Sequence, residues 1–245
     1  MTGLEIAFVL VAAVLATLVK SITGMGYPLI LVPVVALFLD VVDAVVIVGP
    51  ANLFLNVVLI WQTRTWSRDA HTLTPFLVGA APGAVVGALI LTQIPDGPVR
   101  VVLAAVVGVF LVNRFFGRKR TMEHGRASKW APLVGWLGGL SQGAAGVSGP
   151  IISPWFLSLG LERDACVLAL ATAFGVTGAL QIAVLALLGE FTGDEASLGL
   201  VLIPIAALVT PVGTRLRRRL PVHLFEMLVL AVLFVSAVSL LVRVF

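Results

Sequence analysis

Apolar runs of about 16 to 25 residues recur from one end of this chain to the other, long enough for a helix to cross roughly 30 Å of hydrocarbon. With 60% hydrophobic and 11% charged residues, the chain falls well short of the roughly one quarter of charged residues with which soluble domains meet water. Helical runs without the dyad alternation of a membrane barrel point to an all-α polytopic membrane protein. The net charge of +4 does not indicate a nucleic-acid binder, because most basic residues sit in short loops between apolar runs, where topology explains them. Cys166 is the single cysteine and lies in an apolar run, which excludes a disulfide framework or a cysteine metal site. His71, His124 and His223 lack metal-ligand spacing, so neither a metal nor a cofactor is expected. The first run follows "MTGLE", without a basic n-region, and reads as a retained helix and not a signal peptide.

Ten apolar segments can be marked, at about 4–19, 28–39, 42–61, 72–91, 98–116, 130–145, 149–160, 164–189, 195–214 and 222–243. The halves echo one another. An offset of 121 pairs Pro33 with Pro154, Asp43-Ala44 with Asp164-Ala165 and Asn56 with Thr177; an offset of 126 pairs Gly87 with Gly213 and Pro95 with Pro221. Their consistent order argues for a duplication. The expected domains are a first repeat at 1–116, a basic cytoplasmic linker at 117–129 and a second repeat at 130–245.

Three basic clusters, Arg64/Arg68, Arg114 to Lys129 and Arg215 to Arg219, hold 12 of the 16 lysines and arginines. Even numbers of segments separate them, so all three fall on one side, which the positive-inside rule makes cytoplasmic. Equivalent loops carry opposite character: "QTRTWSRD" after segment three against "GEFTGDE" after segment eight. An odd number of segments per half inverts the second half. The expected architecture is therefore two inverted five-segment repeats with both termini outside, an arrangement common among transporters.

Two stretches interrupt the apolar pattern: "SITGMGYPLILVP" at Ser21–Pro33 and "SQGAAGVSGPIISP" at Ser141–Pro154. Non-helical backbone within a bilayer must be buried in protein or line a water-filled cavity. Gly24 and Gly26, like Gly146 and Gly149, permit the turn, and Pro28 and Pro150 suit the first turn of the helix that follows. Each stretch would present free N–H groups at the start of a short helix, a terminus suited to a small anion. The short helices are either tilted full spans or re-entrant half-spans; the charge pattern permits both.

The run G-M-G-Y-P-L-I-L-V-P at Gly24–Pro33, followed by Asp43-Ala44 opening a polar-dotted helix, resembles the sulfite exporter TauE/SafE family. A weaker copy, G-V-S-G-P-I-I-S-P at Gly146–Pro154, holds the matching place in the second half, and the likeness spans nearly the whole chain. The resemblance implies a transporter of the bacterial inner membrane, carrying small sulfur-containing anions such as sulfite or organosulfonates. The lack of paired deep carboxylates, a histidine cluster and a cysteine–histidine pair argues against an enzyme. The export direction is taken from the family's name, and Tyr27 and Pro28 stand where family members carry a denser glycine run. The alternatives are a passive anion channel, or an importer of a related oxyanion or carboxylate.

Candidate substrate-binding residues cluster at the breaks. Lys20 either holds the anion or snorkels to the cytoplasmic face. Ser21, Thr23, Ser141, Gln142 and Ser148 either bond substrate oxygens or satisfy loosened backbone. Tyr27 either gates the anion or sits in an interfacial belt. Asn52 and Asn56, one turn apart, with Thr172, Thr177 and Gln181 as counterparts, line a cavity or glue helices together; their repetition beside the breaks favours the cavity. Gly79, Gly83 and Gly87 read as a helix-packing stripe, and Asp43 and Asp164 as helix caps. Expected partners are a small anion, membrane lipids and a coupling ion, proton or sodium; no acidic residue falls at a helix midpoint to carry protons.

Overall fold

In the computed structural model, residues 3–65, 73–116, 124–191 and 193–217 are described, and within them the chain is helical, without a strand. Segment ten, Arg68, His71, His223, Glu226, residues 117–123 of the linker and the arginines after Arg217 lie outside the described residues. The helices are α1 (Gly3–Thr23), α2 (Tyr27–Val35), α3 (Val41–Thr63), α4 (Leu73–Leu91), α5 (Asp96–Phe116), α6 (His124–Ala145), α7 (Gly149–Ser158), α8 (Arg163–Leu187) and α9 (Gly193–Arg217). They match segments one to nine, and α6 begins inside the stretch expected as linker. Among the described residues five helices, α1, α3, α4, α8 and the Glu195–Leu216 part of α9, are long and apolar enough to cross a membrane. On α1, Leu4, Phe8, Val11 and Leu15 form an exposed stripe at helical spacing, while Val9, Ala13, Ala16 and Lys20 are buried. A stripe of large apolar side chains facing outwards suits lipid and not water.

Both short helices begin after a backbone reversal. α1 ends with the Gly24 N–H on the Lys20 carbonyl at 2.7 Å, and α6 ends with the Gly146 N–H on the Gln142 carbonyl at 2.8 Å. Gly24 and Gly146 have φ of 84° and 68°, the left-handed conformation that closes a helix C-terminus and that side chains with a Cβ resist. α2 has 9 residues and α7 has 10, so each is about 15 Å long or less and too short to cross the hydrocarbon alone.

α4 runs parallel to α6 at backbone contact. A Cβ on Gly79, Gly83 or Gly87 would strike the carbonyl of Pro132, Trp136 or Leu140; one on Gly135, Gly139 or Gly143 would strike that of Phe76, Ala80 or Ala84. The glycine stripe expected on α4 is thus a packing stripe, and α6 carries its mate. Elsewhere α3 packs against α8 and α9, α8 against α4, and α1 against α9 and α2.

The cap of α3 comes from outside the helix. Asp43 and Asp164 were expected to cap α3 and α8, but they lie inside the first turns, and the N-cap positions belong to Asp40 and Glu162. The first N–H of α3, on Val41, donates instead to the Asp96 carboxylate of α5 at 2.8 Å. A carboxylate inside the first turn complements the helix dipole without holding the N-cap position. Arg100, one turn beyond Asp96, donates to that carboxylate and to the Ala36 carbonyl, and to the Leu39 carbonyl at 2.9 Å. The Asp40 carboxylate is 3.6 Å away. One guanidinium therefore ties the end of α2 and the start of α3 to α5. We expect Arg100→Gln to cost about 2 kcal/mol, because it strands two carbonyls and a carboxylate. Arg100→Lys should recover only part, since an ammonium cannot reproduce the fork. Melting of the detergent-solubilised protein measures both.

Candidate functional site

The two breaks meet. α2 and α7 begin side by side: the Leu29 side chain lies 3.9 Å from where a Cβ on Gly149 would be. The N-cap Gly26 with Pro28 and Leu29 of α2, and the N-cap Ser148 with Gly149 of α7, line one small cavity with Lys20, Gln142 and Phe174. A second cavity, sharing Pro28 and Gln142, is bordered by Asn52, Gly146, Gly178 and Gln181. Each has a volume of about 10 Å³, room for about one water molecule. At these helix starts Pro28 and Pro150 have no N–H, and Ile30, Ile151 and Ile152 bond the N-cap carbonyls of Gly26 and Ser148. The N–H groups of Tyr27, Leu29 and Gly149 are therefore the ones that precede the first helical bonds, and the dipoles bring partial positive charge to the cavity.

Lys20 is the one ionisable side chain on these cavities among the described residues. It is 1% exposed, so it does not snorkel to a membrane face. Its ammonium donates to the Asn52 Oδ1 at 2.8 Å and lies 5.4 Å from the centre of the Phe174 ring. Among the described residues no carboxylate lies within ion-pair distance of it. Asn56, one turn beyond Asn52, is fully buried with neither amide atom hydrogen-bonded, and its Cβ faces Gly175 of α8. A buried amide without partners carries a desolvation cost and marks a polar face that its surroundings leave unfilled.

The second break is cross-braced. Gln142, at the place in α6 that Lys20 holds in α1, donates to the Gly146 carbonyl and to Gln181 Oε1, both at 3.1 Å. It accepts from the Ser148 hydroxyl at 2.7 Å. Gln181 in turn donates to the carbonyls of Gln142 and Gly143 at 2.7 and 2.9 Å. Each break is thus joined to the long helix after it, α1 to α3 by an ammonium–amide bond and α6 to α8 by paired amides.

Of the residues expected at the site, Lys20, Gly26, Asn52, Gln142, Gly146, Ser148, Gly149 and Gln181 line the two cavities. The others take different work. The Thr23 hydroxyl has the Val19 and Met25 carbonyls within reach of its one proton and accepts the Met25 N–H, and Ser141 donates to the Val147 carbonyl, so these hydroxyls satisfy the broken backbone. Thr172 and Thr177 bond the carbonyls of Leu168 and Ala173 within α8. Gly24 makes the turn. Ser21 is buried and its hydroxyl unpartnered, with its side chain against Gly213 of α9. Tyr27 is fully buried with an unpartnered hydroxyl, inside the protein and not in an interfacial belt. Phe174 and Gly178 were not anticipated. Gly178 lies one turn before Gln181, and Phe174 one turn before Gly178, so the spacing from Gln181 carried the signal.

No curated protein and no solved structure matches the chain significantly. The family model described as "Sulfite exporter TauE/SafE" matches residues 9–240, nearly the whole length. A multi-pass helical chain with two broken helices meeting at a buried lysine is in keeping with a family of membrane transporters of sulfur anions. The chain belongs to the sulfite exporter TauE/SafE family.

Proposed function

We propose that this protein is a secondary transporter that moves a small sulfur-containing anion, sulfite or an organosulfonate, out across the bacterial inner membrane by alternating access. The observation that carries the reading is Lys20, a buried ammonium on a cavity bordered by the starts of both short helices. An intramembrane cation at such a place is suited to an anion. Lys20 and Asn52 would hold the charge, with Gln142, Ser148, Gln181 and the first N–H groups of α2 and α7 around the oxygens.

Inverted repeats at 1–116 and 130–245 are part of the proposal, and the neighbour pattern supports them. α4 packs on α6 while α9 packs on α1; α3 packs on α9 while α8 packs on α4; α3 and α8 pack on each other. Exchange of partners between equivalent helices is what a two-fold relation would produce. In this reading α2 and α7 are re-entrant half-spans, the basic linker at 117–129 is cytoplasmic, and both termini are periplasmic. A carrier is favoured over a channel by the size of the cavities, about 10 Å³ each, which an anion enters only if the breaks part. The driving ion would be a proton or sodium.

Reconstitution tests the reading. Proteoliposomes should take up labelled sulfite or a monosulfonate saturably, and an imposed proton or sodium gradient should concentrate it. Gly26→Leu, which forces a branched side chain onto a φ of 104° at the start of α2, should abolish uptake. Absence of movement of every sulfur compound by folded protein would overturn the proposal, and linear, non-saturating flux would overturn the carrier mechanism.

A further inference from the structure

The charges around the breaks bear on the charge of the cargo, on the reading that these cavities are the substrate site. Lys20 is the one charged side chain lining either cavity among the described residues. Its hydrogen-bond partner is the neutral amide of Asn52 at 2.8 Å, and the other polar side chains on the cavities, Gln142, Ser148 and Gln181, are neutral too. A buried charge is tolerated when paired and costly when left over. A monoanion would pair with the ammonium and leave no net charge. A dianion would bring a second negative charge with only the partial charges of two helix starts to meet it, and these count for less than a full charge. A zwitterion would bring its own ammonium beside Lys20.

We infer that the site selects its cargo by charge, accepting small monoanions in preference to dianions and zwitterions. Asn52 is then a specificity-determining residue. It positions the ammonium through one hydrogen bond without neutralising it, so that the anion supplies the counter-charge. An aspartate in its place would be an internal counter-ion and would compete with the cargo.

The test is binding, which does not depend on transport. Purified protein in detergent at neutral pH is titrated with methanesulfonate (a monoanion), sulfoacetate and sulfate (dianions) and taurine (a zwitterion), with binding read as ligand-induced thermal stabilisation. Methanesulfonate should bind at least roughly tenfold more tightly than the other three, the order expected when one partner leaves a buried charge unpaired. Asn52→Asp should weaken methanesulfonate by roughly tenfold or more and bring it close to taurine, whereas Asn52→Gln should keep the order of preference. Equal or tighter binding of the dianions, no binding of methanesulfonate, or an unchanged preference in Asn52→Asp would each overturn the charge rule. Selective binding of methanesulfonate without transport of it in proteoliposomes would uphold the rule and count against the carrier.

Discussion

Replacing Gly139 by alanine should cost the folded protein about 3 kcal/mol, because there is no room for a methyl group between α4 and α6. A Cβ at this position would fall on the Ala80 carbonyl oxygen, with the Ala80 carbonyl carbon and the Ala84 nitrogen each 2.9 Å away. These are backbone atoms on a rigid helix, so the helices must separate, and separation opens the contacts at the other five glycines of the pair. Within a bilayer the loss is not recovered elsewhere. Lipid tails are as apolar as the side chains, so helix association depends on close packing and on glycine Cα–H groups facing carbonyls. For a chain of this size the expected fall in melting temperature is roughly 6 to 12 °C in detergent. Gly175→Ala is the control. Its Cβ would meet Asn56 and Ile60 at 3.5 and 3.6 Å, ordinary contact distances, and stability should stay within about 0.5 kcal/mol. A Gly139→Ala protein that melts with the wild type would show that the two backbones are not in contact.

The second large effect separates activity from stability. Lys20→Met should cut transport efficiency by about 30- to about 1,000-fold, the loss of about 2 to 4 kcal/mol expected when a buried charge partner of an anion is removed. The same substitution should leave the melting temperature unchanged or raise it, because methionine fills a similar space without a charge to bury. Among the described residues, the one side-chain hydrogen bond lost is that to Asn52 Oδ1 at 2.8 Å. Lys20→Arg keeps the charge but needs more room and a different donor geometry than a cavity of about 10 Å³ provides, so it should recover only part of the transport. Parallel uptake and melting measurements decide the matter. Loss of both together would make Lys20 a structural residue, and retention of both would remove it from the site.

Most of the helices were legible in the sequence because bilayer thickness sets a minimum length for an apolar run, and runs of that length stand out in any window. The two interruptions were legible for a related reason, since glycine and proline mark where a helix cannot continue. Gly24 and Gly146 do adopt left-handed backbone. The hydroxyls beside them were ambiguous, and their roles divided. Thr23 and Ser141 bond the broken backbone, while Ser148 faces the cavity and Gln142. Residue type alone does not separate these roles, because a hydroxyl serves a carbonyl and a ligand oxygen equally well.

Other features had no local signal. Asp96 and Arg100 read as ordinary polar residues at a helix start, yet they cap α3 and hold the end of α2 across separations of 55 and 64 residues. The glycines of α6, Gly135, Gly139 and Gly143, stand at the same four-residue spacing as those of α4, but the sequence does not say that these two stripes meet one another. For Lys20 the sequence left two outcomes open, a membrane face or the interior, because a long flexible side chain near a helix end reaches either. Asn52, 32 residues away, decides it by presenting an amide oxygen inside the protein. The sequence by itself determined the membrane class, the helix count up to segment nine and the places where the chain breaks, since these depend on local apolarity and backbone freedom. Only the tertiary structure decided which polar groups face one another, because a hydrogen bond between α1 and α3 or between α6 and α8 depends on how the helices pack, and that register is not a property of any one segment.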